Sequence, residues 1–265
     1  MYLFTDQLGR ETALSHWPPQ RIVSLVPSQT ELLFDLGLGE RVVGITKFCV
    51  HPAEWFQKKT RVGGTKTVNL TKIETLQPDL IIGNKEENER GQIETLAQRY
   101  PVWLSDVSTL PGALDMMLRL GALTGAEEAA NNLVRAVQAE FDRLGEPAPP
   151  VRVAYLIWRK PFMVAGSGTF IDDMLQRAGF FNAFAGTARY PEVSAEALAE
   201  AGPRQIFLSS EPYPFSEKHL AAFKAICPDA EVRVVDGELF SWYGSRLLRA
   251  PEYFLRLRKA IFDQK

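Results

Sequence analysis

Histidine and cysteine are scarce in these 265 residues, with three of the first and two of the second. Cys49 and Cys227 lie far apart, which excludes a disulfide framework and leaves at most one bridge. An excess of positive charge is also missing. Thirty Lys and Arg stand against 32 Asp and Glu, a net charge of -2, so nothing draws the chain onto nucleic acid. No apolar run reaches the ~20 residues of a bilayer span, so membrane insertion is not expected. The start, Met1-Tyr-Leu-Phe-Thr-Asp6, lacks the charged and apolar regions of a secretion signal, which fits a cytoplasmic chain or a mature exported one. Catalytic signatures are absent too. There is no G-x-S-x-G elbow, no H-E-x-x-H helix and no Gly-Lys-Ser/Thr phosphate loop, and Gly166-Ser-Gly168 reads as a tight turn. With so few histidines as general bases, an enzyme is not expected.

What is present is alternation. Short β-branched runs recur at Ile22–Val26, Val42–Ile45, Leu80–Ile82, Val102–Leu104, Val153–Ile157, Ile206–Leu208 and Val232–Val235, each separated from the next by helical patterning. They predict buried parallel strands in an α/β fold. Ser28-x-x-Glu31 reads as a capping box, Asn69, Thr169 and Ser194 as N-caps, Gly37 and Gly179 as helix ends, and Pro251 as the first helical residue of the last helix. Between Pro111 and Val151 no strand pattern occurs, and Leu133, Val134, Val137, Phe141 and Leu144 repeat at helical spacing. A helix over about 126–144 would be about 28 Å long, and Gly145-Glu-Pro-Ala-Pro-Pro150 forces an extended exit from it. The expected organisation is two Rossmann-like lobes with parallel sheets, 20–112 and 150–265, joined through a helical segment, 113–149. The lobes echo each other: Asn69-Leu-x-x-Ile-x-x-Leu-x-Pro-Asp-Leu-Ile-Ile82 parallels Val193-Ser-x-Glu-Ala-Leu-x-x-x-x-Pro-x-Gln-Ile-Phe-Leu208.

Parallel sheets bind ligands outside the carboxyl ends of their strands. The residues there include Lys47 and Phe48 after the second run, Lys85, Glu86 and Glu87 after the third, Trp158, Arg159 and Lys160 after the fifth, Tyr213 after the sixth, and Trp242, Tyr243 and Arg246 after the last. Lys66 follows the Val-Gly-Gly turn. Aromatic rings among charged side chains suit a large ligand with an apolar face and a polar rim. Cys49-x-His51 offers two metal donors that Glu86 or Glu87 could complete, which keeps a free transition-metal receptor as an alternative.

Three segments carry a family resemblance: Arg21-Ile-Val-Ser-Leu-Val-Pro-Ser-Gln-Thr-Glu-Leu-Leu33, Val62-Gly-Gly-Thr-Lys66 followed by the Asn69 motif, and Phe170-Ile-x-x-Met-Leu-x-x-Ala-Gly-x-x-Asn182. With them the chain resembles the helical-backbone substrate-binding proteins of ABC importers, which serve cobalamin, haem, ferric siderophores and some metal ions, and is most similar to the cobalamin branch. The resemblance implies a ligand captured in a cleft between two lobes, with no intrinsic cofactor, no bond chemistry and a monomeric chain. The ligand would be a metal chelate: a corrinoid, haem or ferric siderophore. It implies work in the periplasm or cell envelope beside an importer permease, docked through one exposed glutamate per lobe; Glu196 matches the second-lobe position and Thr71 occupies the first. The tryptophan that the branch carries near the Val-Gly-Gly turn is Thr65 here. A cytoplasmic metallocofactor carrier or sensor is the other use such a chain could have.

Overall fold

The computed structural model describes residues 1–145 and 150–262. Along the chain run β1 (Tyr2–Thr5), β2 (Glu11–Leu14), β3 (Ile22–Ser24), α1 (Pro27–Asp35), β4 (Val42–Ile45), α2 (Ala53–Lys58), β5 (Thr60–Arg61), α3 (Leu70–Leu76), β6 (Leu80–Asn84), α4 (Arg90–Ala97), β7 (Val102–Ser105), α5 (Leu110–Thr124) and α6 (Glu127–Asp142). There follow β8 (Val151–Trp158), β9 (Phe162–Val164), α7 (Phe170–Arg177), β10 (Phe180–Asn182), β11 (Glu192–Val193), α8 (Ala195–Glu200), β12 (Gln205–Ser209), α9 (Leu220–Ile226), β13 (Glu231–Val235), α10 (Glu238–Ser241) and α11 (Ala250–Phe262). No helix among the described residues is long and apolar enough to cross a membrane.

The chain divides into two compact units. The first comprises Met1–Val107, Pro111–Val137 and Tyr243–Arg246; the second comprises Ser108–Leu110, Gln138–Trp242 and the chain from Leu247. Helix α6 thus begins in one unit and ends in the other. Its Val137 and Phe141 are buried, and Leu133 and Val134 are half-buried, as its 3.6-residue spacing requires. Of the extended exit read over 145–150, residues 146–149 lie outside the described residues.

The first unit is built on a five-stranded sheet in the order β5-β4-β3-β6-β7, every pairing parallel. All residues of β3, β6 and β7 are buried. Helices cover both faces of such strands, so they read as unbroken apolar runs rather than alternating ones. Val23, Ile81, Val102 and Leu104 form one face of the core with Ile73 of α3 and Ile93 and Leu96 of α4. The second unit's sheet runs β11-β9-β8-β12-β13 and is mixed: β8, β10, β12 and β13 are parallel, whereas β9 pairs antiparallel with both β8 and β11. The strands read from the sequence here, β8, β12 and β13, are parallel as expected, and the antiparallel members β9 and β11 are additions. Strands β9 to β11 are two or three residues long, too short for any periodicity to register. The β1–β2 hairpin is a further addition, its turn closed by the buried Asp6, whose Oδ1 accepts from the Leu8 and Arg10 amides at 2.9 and 2.8 Å.

The caps at Asn69, Thr169 and Ser194 form, each side chain accepting from the amide three residues on. The capping box at Ser28 does not. Pro27 fills the first helical position, where its missing N–H costs nothing, so α1 begins one residue early and Ser28 lies inside the first turn. The N-cap position is Val26, which has no side-chain acceptor to offer. Glu31 is released for another partner.

Candidate functional site

In the first unit the loops leaving β4, β5 and β6 are tied together at the carboxyl edge of the sheet. The Lys47 amide donates to Gly63 O at 2.7 Å, and the Asn88 side-chain amide donates to Thr65 O at 3.0 Å and Leu25 O at 3.3 Å. Lys66 Nζ donates to Glu86 O. The Gly64 backbone lies close beneath these side chains, a Cβ there falling 3.2 Å from Phe48 Cε2 and 3.5 Å from Lys47 Cε. Lys47, Phe48, Lys66, Glu86 and Glu87 are thereby gathered on one edge. Phe48 is 50% exposed, and Lys47 Nζ lies 5.0 Å from its ring centroid. Lys85 turns away to pair with Asp106 at 2.6 Å.

The segment Tyr243–Arg246 closes on this edge. Tyr243 donates to Glu87 Oε1 at 2.8 Å, and Arg246 grips Glu31 with both arms, Nε to Oε2 at 2.8 Å and Nη2 to Oε1 at 2.7 Å. Tyr243 and Arg246 are buried, so as placed they build the edge rather than face a ligand. Gly244 makes the approach possible, since a Cβ there would come within 3.0 Å of the Ser28 carbonyl oxygen.

Cys49 and His51 are not joined by a third donor: among the described residues, no group of three or more His, Cys, Asp or Glu side chains could hold a metal ion. The Cys49 thiol is buried, with Thr30 Oγ1 and Thr46 Oγ1 each 3.1 Å away. Burial pushes the thiol above its usual range, an effect the two threonine bonds oppose. As placed, the thiol makes polar contacts beneath the loop.

In the second unit the carboxyl edge presents Trp158, 39% exposed, its ring edge-on to Tyr213 at 5.6 Å and its indole N–H donating to Lys160 O at 3.2 Å. Arg159 is half-buried and Lys160 exposed beside it. Trp242 differs. It is buried, and its indole N–H donates to Glu211 Oε1 at 2.9 Å, an oxygen that also accepts from Ser241 Oγ at 2.5 Å. Burial, aided by the charges of Glu238 and Asp236, pushes the Glu211 carboxyl above the usual carboxylate range against these two bonds. The sequence reading did not select Glu211; a carboxylate three residues beyond the apolar run Ile206–Leu208 was the available signal. Glu31 was read as a cap, and its pairing with Arg246 across 215 residues left no local trace.

Glu196 stands exposed in the first turn of α8, its carboxyl held below the usual range by the Ser194 side chain and its own backbone amide. Thr71 takes the corresponding place on α3, also exposed.

Comparison with known proteins fits this geometry. The periplasmic binding protein family matches residues 22–225. The vitamin B12-binding protein of Pectobacterium carotovorum subsp. carotovorum is 28% identical over 243 residues, covering 88% of this chain and 86% of the relative. Among solved structures, the periplasmic vitamin B12 binding protein BtuF of Vibrio cholerae superposes with a TM-score of 0.79 at 26% identity, over 93% of this chain and 99% of that one. The periplasmic haem-binding protein RhuT from Roseiflexus sp. RS-1 shares the fold with a TM-score of 0.79 at 24% identity, over 92% and 98%. With the family pattern running through most of both units, the chain belongs to the periplasmic binding protein family.

Proposed function

We propose that this protein is the substrate-binding component of an ABC importer and captures a metal-chelate organic ligand, a corrinoid, haem or ferric siderophore, at the carboxyl-edge loops of its sheets. The observation that carries the reading is the exposure of aromatic rings among cations on those edges: Phe48 beneath Lys47 in one unit, and Trp158 on Tyr213 beside Arg159 and Lys160 in the other. Flat apolar faces with charged rims suit a macrocycle carrying polar substituents. Names borne by relatives support the same class, since they bind vitamin B12 or haem. Binding needs no intrinsic cofactor and leaves the ligand unchanged. Delivery would take place outside the inner membrane, from a monomer, to a permease that meets the exposed Glu196.

Titration of the purified protein by absorbance and tryptophan fluorescence against cyanocobalamin, cobinamide, hemin and ferric siderophores tests this. Saturable binding of one class is expected, weakened about tenfold or more in Trp158→Ala or Phe48→Ala, the size of effect an aromatic anchor gives. The ligand should be recovered intact after long incubation. No binding across the panel, or conversion of the ligand, would overturn the reading.

A further inference from the structure

The first turn of α1 stands at the point where the first unit's sheet reverses direction: from β3 the chain proceeds to β4 and β5 on one side, then returns to β6 and β7 on the other. A ligand crevice forms at the carboxyl ends of the strands at such a reversal. Here the helix of nine residues begins with no side-chain cap and no acidic residue in its first turn, so its leading amides and the positive end of its dipole are left without a counter-group. Around them lie three buried side-chain atoms without a hydrogen-bond partner: Ser28 Oγ, Gln29 Oε1 and Ser245 Oγ. The three residues are only 3%, 0% and 6% exposed. Ser28 and Gln29 belong to the first turn itself, and Ser245 follows Gly244, which rests on the Ser28 carbonyl. Buried polar atoms in folded proteins are almost always paired, so a group of three at one helix start marks a place built for a partner.

We propose that the start of α1 and the Tyr243–Arg246 segment form a site for an acceptor oxygen carrying negative charge, as in a carboxylate substituent of the captured chelate or a small free oxyanion. Two serine hydroxyls and the helix amides donate to it, and Gln29, whose other amide atom is engaged with Ser105 Oγ, adds a donor by a half-turn of its amide. The neighbouring carboxylates do not oppose it, because Glu31 is neutralised by Arg246 through two bonds of 2.7 and 2.8 Å and Glu87 accepts from Tyr243 at 2.8 Å. Because the three residues are buried, the anion enters only when the 243–246 segment lifts transiently, and the Glu31–Arg246 pair re-forms over it as a latch once it is bound.

The inference rests on the proposed function for the chelate source and stands alone for the free anion. Two arms separate the sources. In the first, phosphate and acetate are added to the full chain at constant ionic strength against chloride, and the unfolding temperature is followed. In the second, hemin is compared with its dimethyl ester, which has lost both carboxylates. A saturable rise with phosphate or acetate that disappears in the Ser28→Ala, Ser245→Ala double variant supports a free oxyanion. Hemin bound at least tenfold more tightly than its ester, with the preference erased in the double variant, supports a ligand carboxylate. Ser28→Asp against Ser28→Asn, equal in size, gives an independent reading: the aspartate supplies the missing anion and should unfold at a higher temperature at pH 7. Equal binding of hemin and its ester, no anion response and no advantage for the aspartate would overturn the site while leaving chelate binding standing. An anion response without chelate binding would overturn the proposed function and keep the site.

Discussion

Glu31 and Arg246 show what single residues contribute beyond their local pattern. Both side chains are about nine-tenths buried and satisfy each other through two bonds. Removing one partner strands a charge in a poorly solvated place, so Arg246→Met is expected to cost about 3–5 kcal/mol in urea unfolding, and the double variant Glu31→Leu, Arg246→Met should recover most of it. If the single and double variants lose the same amount, the pair is not the stabilising unit. Glu211 makes a different prediction because its partners, Ser241 and Trp242, are neutral donors. Its folded carboxyl titrates above the usual 4.5, chiefly through burial, so the folded state holds the proton more tightly than the unfolded state. That contribution to stability is fully present below pH 4.5 and is lost as pH rises through the raised value. Glu211→Gln keeps an acceptor for the indole and removes the titration. Urea midpoints from pH 4 to 8 should therefore show the variant gaining on the wild type with rising pH, and a constant difference would refute the assignment. The strand-end position of Lys47, Phe48 and Trp158 was readable from sequence, since a loop after a buried run has only one edge of a parallel sheet to occupy. The commitments of Arg246 to Glu31 and of Trp242 to Glu211 were not, because long-range pairing leaves no periodicity.

At the scale of elements, legibility followed length and burial. Each of the seven apolar runs is a strand, because burial on both faces demands the β-branched sequence that betrays it. The strands missed, β1, β2, β5, β9, β10 and β11, span two to four residues and owe their pairing to neighbours rather than to their own pattern. Helix starts were legible where a cap accepts locally and misread where proline moved the start. Ser194→Ala should lower stability by about 1 kcal/mol and raise the titration of Glu196, whose largest downward influence is the Ser194 hydroxyl; carbon-detected titration of the glutamate checks the second half. The turn at Gly166 is less forgiving. A Cβ there would sit 2.0 Å from the Thr187 carbonyl oxygen, in the stretch where Gly166 and Ser167 donate to Arg189 O and Thr187 O at 2.7 and 2.8 Å. Gly166→Ala must displace backbone, and a loss of about 3 kcal/mol is expected, whereas Gly186→Ala, with open space at Cβ, should be close to neutral.

The whole molecule is not assembled from two consecutive stretches of chain. Residues 243–246 belong to the first unit although Trp242 and Leu247 on either side of them belong to the second, and Ser108–Leu110 belong to the second although the chain around them belongs to the first. A fragment ending at Asp142 therefore carries the whole five-stranded sheet and α1 to α6 but lacks Tyr243, Gly244 and Arg246. Glu31 would lose its counter-ion, Glu87 its tyrosine donor, and Leu32, buried in the full chain and 3.4 Å from the Cβ position of Gly244, part of its cover. The lost ion pair alone is expected to weigh about 3–5 kcal/mol against a domain stability of roughly 5–15 kcal/mol. Fragment 1–142 should accordingly unfold at a much lower urea concentration than the full chain, and with a broader transition. Glu31→Leu within the fragment should restore part of the difference, because it removes the charge that the missing segment neutralised. If the fragment unfolded at the midpoint of the full chain, the 243–246 segment would be a passive crossing, and the stability of the first unit would reside wholly in its own sheet.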